Sequence, residues 1–550
     1  MRLSTALRSA RKKADIGLRE LARRLNVDPL HISRVESGKV PASRSLLVAL
    51  SNELQLDQDS ILALGGFIPA RWQRALERDP ACVTLIHDSL TKGQQSVSQD
   101  IAGVREPLPT YATSSRSPER QKLGDPLADI FPSGFVLSPE INEIYELKLA
   151  ILEARKLTRQ QLIERGAYFV SIDGIPTNHF QICTGGGLKL PKDSGARLLS
   201  FLGTHQLKTS YATHGLFPYR GKYHPQMIKA LINIMGMTPG ATVLDPMAGS
   251  GTTAIEAAIM GIDSIAVDVS PFCAFMAKTK VGALTADVTD LKELLANSSR
   301  IRKVHNELGK PESAEKVLNA GYQPRGLSRA AFDILALAFM DAKGYAARSS
   351  RKGEFEFFVD ILAKYTDTID RFQKVFRKLP IRLASAKIVE GDARTLDIES
   401  ESIDGVIFSP PYSFAVDYLE NDEPHLNYLR SNIAEIRTRM IGLNGGQGPA
   451  RIEQYFSDMG RVFDEIVRVL KPGTCCTVIV GSNSNQLAKV LGIEPGSLEA
   501  RYGIEDRLTT IATERNLVLE LKIRRLIVGM ANSMREEHIL MFRKGIRFDT

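Results

Sequence analysis

The chain has 550 residues, 43% of them apolar and 24% charged, which is too long for one compact core and too ordinary for a disordered, collagenous or coiled-coil protein. Its longest apolar runs, such as Ile334 to Met340, fall far short of the roughly 20 residues that a membrane span needs. The basic N-terminus has no apolar leader segment, and five scattered cysteines (Cys82, Cys183, Cys273, Cys475, Cys476) form neither a disulfide framework nor a zinc-type CxxC pattern. These features predict a soluble, cytoplasmic protein of roughly two to four folded units, with no membrane partner and no metal.

Lysine and arginine number 71 against 63 acidic residues, a net charge of +8. Up to Leu50 there are eleven bases and four acids, so this short segment supplies nearly the whole excess. It reads as a run of short helices: Leu3 to Lys13, Leu18 to Leu25, His31 to Ser37 and Ser43 to Leu54. Asp28 is a natural N-cap, with Pro29 at the first helical position. Leu18, Leu21, Ala22 and Leu25 share one helix face, which Ile32 and Val35 can meet. Two short helices across a tight turn, ringed by bases, describe a helix-turn-helix. The stretch LRELARRLNVDPLHISRVESGK resembles the phage-repressor-like (Xre/Cro) family over residues 1–65. The resemblance implies DNA binding, with Pro29, Leu30, His31 and Arg34 at the groove. A helical protein-docking module, or DNA binding that serves regulation, are the other readings of the same segment.

Residues 66–130 read as a helical extension and linker, with Gln, Ser, Pro, Thr and Arg dominating from Gly93 to Asp129. In the accessory segment 131–210 a helix is predicted over Ile141 to Arg155 and a strand over Tyr168 to Ile172, but no motif stands out.

From Thr242 a short apolar strand ends in Asp245, a glycine-rich turn follows, and Ala254 to Met260 forms a helix. Strand, glycine turn and helix open a doubly wound sheet. Glycine belongs where a ligand must approach the backbone. The string VLDPMAGSGTTAIEA resembles the cofactor motif of amino-group DNA methyltransferases, and the resemblance implies S-adenosyl-L-methionine as cofactor. It assigns Asp245, Pro246, Ala248, Gly249, Ser250, Gly251 and Thr252 to cofactor binding. A second strand, Ser264 to Val267, ends in Asp268, where a carboxylate can accept from ribose hydroxyls; a helix-capping aspartate is the alternative. Upstream, HGLFPYRGKYHPQMIKALI resembles the segment that closes over the methionine end in that family, with Tyr219, Lys222 and Tyr223 as contacts or as core aromatics. Residues 211–283 form the first part of this domain.

The second part, 381–550, carries a strand over Lys387 to Val389, then Asp392, then a buried strand, Ile403 to Phe408, that ends in Ser409-Pro410-Pro411-Tyr412. This tetrapeptide is the SPPY motif of the same family. An exocyclic amine is a poor nucleophile, because its lone pair is delocalised into the ring. Two acceptors that hold its hydrogens restore the lone pair; the resemblance names Ser409 and the Pro410 carbonyl. The prolines stiffen the turn, and Tyr412 offers a face for a flipped base. Asp392 is placed to reach the cofactor adenine or the base. No cysteine follows a proline as a nucleophile for cytosine C5 would. A helix from Tyr455 to Leu470, a strand from Cys475 to Val480 and a terminal pair (Leu517 to Val528, His538 to Phe542) complete the sheet.

Between the two parts, residues 284–380 are helical, with Phe358, Leu362, Tyr365, Ile369, Phe372 and Phe376 at spacings of four and three. Basic clusters beside this stripe suggest target recognition; a pack that braces the sheet is the other reading. The loop Gly442 to Pro449 either orders on DNA or only connects. The expectation is an α/β Rossmann-like methyltransferase with a helical insert and an all-α helix-turn-helix domain. In the resembling family SPPY goes mostly with cytosine N4 in DNA. Adenine N6, an RNA base, or a chiefly regulatory protein are the rivals, and a cognate restriction endonuclease is the partner left open.

Overall fold

The computed structural model describes residues 3–37, 40, 42–67, 131–138, 141, 143–186, 210–219, 222–319, 321–347, 352–411, 418–444, 448–482, 503–526 and 536–546. The linker expected over 93–129 and Tyr412 of the SPPY turn lie outside them. The chain divides into two compact units, Met1 to Phe135 without Lys39–Pro41, and Val136 to Thr550 with them. No described helix is long and apolar enough to cross a membrane.

The first unit contains helices α1 (Leu3–Lys13), α2 (Leu18–Arg24), α3 (Pro29–Glu36), α4 (Arg44–Glu53) and α5 (Gln58–Leu64). Helix α3 starts at Pro29 because the Asp28 carboxylate accepts from the Leu30 N–H at 2.9 Å and so satisfies an end donor. Leu7, Leu21, Ala22, Ile32, Val35, Leu47 and Leu50 form its core. Arg11 bridges to Glu36 with two parallel hydrogen bonds (2.5 and 2.8 Å), which ties α1 to the end of α3. Helix α5 was not foreseen; Asp57 accepts from the Ser60 N–H at 3.0 Å and supplies its start signal.

The second unit is built on a seven-stranded sheet. Its strands are β1 (Thr242–Asp245), β2 (Asp263–Asp268), β3 (Ala386–Glu390), β4 (Ile403–Phe408), β5 (Leu470–Ser482), β6 (Leu517–Leu526) and β7 (Glu536–Lys544), in the spatial order β3-β2-β1-β4-β5-β7-β6. The first five are parallel; β7 lies antiparallel to both β5 and β6. The chain winds outward from β1 to β3 and then returns to β4 on the other side of β1. The strand order therefore reverses between β1 and β4, and a crevice opens at the strand ends where such sheets bind ligands. Strand β5 is longer than expected and absorbs Pro472 and Gly473, because a register shift opposite Ile403 and Gly405 makes room for them.

Helices flank this sheet: α6 (Ile144–Lys156), α7 (Arg159–Arg165), α8 (Asn178–Gly186), α9 (Pro225–Ile234), α10 (Thr252–Ile259) and α11 (Pro271–Gly282). The insert follows as α12 (Thr289–Leu295), α13 (Ser298–Leu308), α14 (Ser313–Leu318), α15 (Arg329–Ala346) and α16 (Glu354–Phe376). The predicted stripe on α16 is buried at Phe358, Leu362, Tyr365, Ile369 and Phe372, and only Phe376 is half-exposed. Phe358, Leu362, Tyr365 and Ile369 share one core with Phe272 and Met276 of α11, while Phe372 packs with Ile255 and Ile259 of α10. Many bases of the insert pair with nearby acids: Arg371 with Asp367, Lys374 and Lys292 with Asp370, and Lys352 with Asp360. Both features favour bracing over target recognition for this part of the insert.

Candidate active site

The Asp245 carboxylate at the end of β1 is buried and holds the glycine turn from below. It accepts from the Thr253 hydroxyl at 2.6 Å and the Met247 N–H at 3.1 Å, and burial pushes it up to about 7. The turn 246–250 lines a cleft of about 900 Å³, its open mouth included, at the crevice between β1 and β4. Gly249 faces this cleft with a left-handed backbone (φ +49°), and a Cβ there would stand 3.8 Å from the Tyr219 ring.

Of the residues assigned to the cofactor from the sequence, Asp245, Gly251 and Thr252 stand behind the cleft wall and are not among its lining residues. Gly251 is required by packing. It starts α10 at φ +78°, and a Cβ there would meet Ala277 Cβ of α11 at 2.7 Å. Thr252 is buried at the first turn of α10.

Asp268, at the end of β2, does line the cleft. Its Oδ2 accepts from the Gly249 N–H at 2.7 Å and its Oδ1 from the Ser270 N–H at 2.9 Å. Burial raises it to about 6 against these two bonds. The helix-capping alternative fails, because Ser270 is the N-cap of α11 and accepts from the Cys273 N–H. Asp392 reaches the same cleft, held two-pronged by Arg394 (2.9 and 2.6 Å). Burial works to raise its pKa, but the guanidinium outweighs it and keeps the group below the usual carboxylate range.

Across the crevice, β4 ends at Phe408 and delivers Ser409, Pro410 and Pro411 to the same cleft. Tyr219 and Tyr223 line it too, the Tyr219 hydroxyl donating to Asp422 Oδ2 at 3.1 Å. Lys222 lies at its edge, with its Nζ donating to the His214 carbonyl at 3.0 Å; burial pushes this amine down to about 8. Behind the segment, Glu256 of α10 accepts from the Tyr211 hydroxyl, contacts His214 Nε2 (2.7 Å each) and pairs with Lys229 at 3.1 Å. That buried cluster fixes the segment to the helix after the glycine turn.

Sequence reasoning missed Asp422 and Tyr418, from helix α17 (Tyr418–Tyr428), and Cys273 and Arg439 of the cleft wall. In the first unit, Pro29 and Leu30 are exposed at the start of α3, Leu30 at 53%, whereas His31 and Arg34 are half-buried.

S-adenosyl-L-methionine fits this cleft. Gly249 leaves the turn open to close approach, Asp268 ends its strand where hydroxyls can donate, and Met247, Val269, Ala393 and Ile441 supply apolar wall. The sheet order, with its reversal between β1 and β4, is that of a Rossmann-like α/β fold, and the first unit carries the short helices of a helix-turn-helix.

Residues 217–314 match the RMKL-like methyltransferase domain family, and residues 2–64 match a helix-turn-helix domain family. The type II methyltransferase M.MjaII of Methanocaldococcus jannaschii is 27% identical over 197 residues, which are 35% of this chain and 36% of that protein. The type II methyltransferase M.BsoBI of Geobacillus stearothermophilus is 34% identical over 68 residues, 12% of this chain and 13% of that protein. The chain thus spans little more than a third of the relatives' length at most. A crystal structure of a SAM-dependent methyltransferase from Methanosarcina mazei covers 56% of this chain and 95% of its own, at 11% identity and a TM-score of 0.24.

Proposed function

We propose that this chain transfers a methyl group from S-adenosyl-L-methionine to an exocyclic amine in DNA, the N4 amine of cytosine. The observation that carries the reading is one cleft lined by the glycine turn and Asp268 on one side and by Ser409 and Pro410 on the other. Two relatives named as type II methyltransferases support methyl transfer, and the helix-turn-helix domain supports duplex DNA as substrate. Serine at the head of the SPPY turn supports cytosine over adenine.

In this reading the cofactor supplies a methyl on a positively charged sulfur. Asp268 accepts from the ribose, Pro246 to Ser250 face the cofactor and Asp392 borders it. Ser409 Oγ and the Pro410 carbonyl accept the two hydrogens of the amine and pull the nitrogen out of conjugation with the ring. Pro411 keeps the turn rigid, so the acceptors need no reorganisation during transfer. Tyr412 stacks on the base, which must leave the duplex to reach the cleft. On α3, Pro29, Leu30, His31 and Arg34 contact DNA.

The test is mass spectrometry of nucleosides from plasmid DNA incubated with the protein and S-adenosyl-L-methionine, with Ser409→Ala as control. N4-methylcytosine that disappears in the variant is the expected result. N6-methyladenine would overturn the base assignment. No methylated deoxynucleoside, with methylated RNA instead, would overturn the substrate. Deletion of residues 1–65 separates a regulatory module, which leaves the modified site unchanged, from one that takes part in target choice.

A further inference from the structure

Among the described residues, every carboxylate that borders the cleft but one has donors on both of its oxygens. Asp268 accepts two backbone N–H groups, and Asp392 is clamped by Arg394. Asp422 is only 5% exposed, yet among the described residues it pairs with no lysine, arginine or histidine. Its Oδ2 takes the Tyr219 hydroxyl at 3.1 Å and lies 3.9 Å from Cys273 Sγ, while its Oδ1 takes no hydrogen bond among the described residues.

Asp422 also stands at a seam. It lines the cofactor cleft and a second, adjoining cleft that shares Tyr219 and Tyr418 with it and adds Asp341, Asn421 and His425. Two cations line the cofactor cleft with it, but Lys222 donates to the His214 carbonyl and Arg439 faces Glu390 at 4.0 Å, and among the described residues neither pairs with Asp422. Tyr219 and Cys273 are neutral, since burial drives both pKa values well up; Asp268 adds like charge; Asp341 lies across the second cleft. The nearest buried ammonium on α11, Lys280, donates to the Phe217 carbonyl and is pushed far down by burial. A buried carboxylate without a cation is costly, so an empty cleft favours its protonated form. Burial, joined by Asp268, lifts Asp422 to about 7.

The ligand that fits the cleft arrives with the missing cation. We propose that Asp422 is the counter-charge of the methyl donor, ionised opposite the sulfonium and protonated once the methyl, and with it the positive charge, has left. This inference rests on the cofactor assignment above, but not on the identity of the methylated base. It also balances the reaction. The sulfur–methyl bond breaks with its electron pair staying on sulfur, and the amine nitrogen forms the new bond. The amine gives up a proton, and the Asp422 carboxylate takes one up. The cleft then keeps the same net charge before and after transfer. A residue in this role separates substrate from product, because each unit by which a cation lowers the carboxyl pKa strengthens that cation's binding about tenfold.

The test is calorimetric titration of the full chain with S-adenosyl-L-methionine and, separately, S-adenosyl-L-homocysteine. Two buffers of different ionisation enthalpy, at about pH 6, report protons released on binding. Asp268 meets the ribose of both ligands, so the expected result is release of about one proton more with the sulfonium ligand than with the thioether. Asp422→Asn should abolish this difference and weaken S-adenosyl-L-methionine about tenfold to a hundredfold, with S-adenosyl-L-homocysteine changed less than about threefold. Retained thioether binding shows that the variant is folded. Equal proton release with both ligands in the unmodified chain overturns the proposal, as does equal weakening of both in the variant. If neither ligand binds the unmodified chain, the cofactor assignment itself falls. Failure to methylate DNA, with the proton release intact, overturns only the substrate reading.

Discussion

The Gly249 N–H donates to Asp268 Oδ2 across 2.7 Å, so the carboxylate that ends β2 also shapes the glycine turn that leaves β1. The Ala248 N–H donates to the Val267 carbonyl at 2.9 Å beside it, and the two strand ends act as one rigid lip of the cleft. Removal of the Asp268 side chain would release the turn and delete the ribose acceptor together. Asp268→Ala should therefore weaken S-adenosyl-L-methionine by about 1.5–3 kcal/mol, about tenfold to a hundredfold, while Asp268→Asn should lose less by keeping one acceptor. Calorimetric Kd values decide it; an unchanged affinity in the alanine variant would remove Asp268 from the site.

Much of this lip was legible in the sequence because its signals are local. Strand, glycine turn and helix succeed one another over Thr242 to Ile259, and the caps at Asp28 and Pro29 act within one turn. Asp422 was not legible, since its bond to Tyr219 joins residues 203 positions apart and its helix carries an internal proline, Pro424. Glu256 left a trace that went unread. It is the one charged residue in α10, whose every position is buried, and a buried charge must find partners. The packing role of Gly251 was hidden for a different reason. A glycine-rich turn shows that backbone freedom is needed, but not whether a ligand or a neighbouring helix requires it.

Gly251 tests that distinction. Its positive φ and the 2.7 Å approach to Ala277 Cβ, with Ala277 Cα at 3.0 Å, make any side chain strained and crowded at once. Gly251→Ala should cost about 2–4 kcal/mol in chemical denaturation. Pairing it with Ala277→Gly should recover only part, since that relieves the Cβ contact and leaves the backbone strain. A stable Gly251→Ala protein with lost cofactor affinity would return Gly251 to the cofactor site.

In the first unit, Arg11 and Glu36 are both largely buried and make a two-pronged pair between α1 and α3. Truncating one partner leaves the other charge buried and unanswered, so Glu36→Ala should destabilise these helices by about 2–4 kcal/mol. Glu36→Gln should cost less, because it still accepts one hydrogen bond. Hydrogen exchange of α1 to α3 in the full chain would register the difference. Exchange unchanged in both variants would show that apolar packing alone orders this unit.

The buried carboxyls predict an unusual dependence of stability on pH in the absence of cofactor. Asp245, Asp422 and Glu153 are lifted by burial to about 7 and Asp268 to about 6, all above the values of an unfolded chain. Between about pH 4 and 7 the folded protein therefore binds more protons than the unfolded one, and its stability falls as the pH rises through that window. Glu256 works in the opposite sense. Burial raises it, but Lys229 and His214 outweigh that and hold it at about 2, so its contribution is complete above about pH 4.5 and lost on acidification toward 2. Four groups outweigh one, so together they place the optimum at or just below about pH 4. Asp422→Asn should flatten the fall toward neutral pH, and Glu256→Gln should lower stability at pH values above about 4.5. Urea denaturation across the pH range measures both slopes. Stability that rises steadily from pH 5 to 8 without ligand would show that these carboxyls are ionised in the folded chain, and would remove the charge deficit on which the role of Asp422 depends.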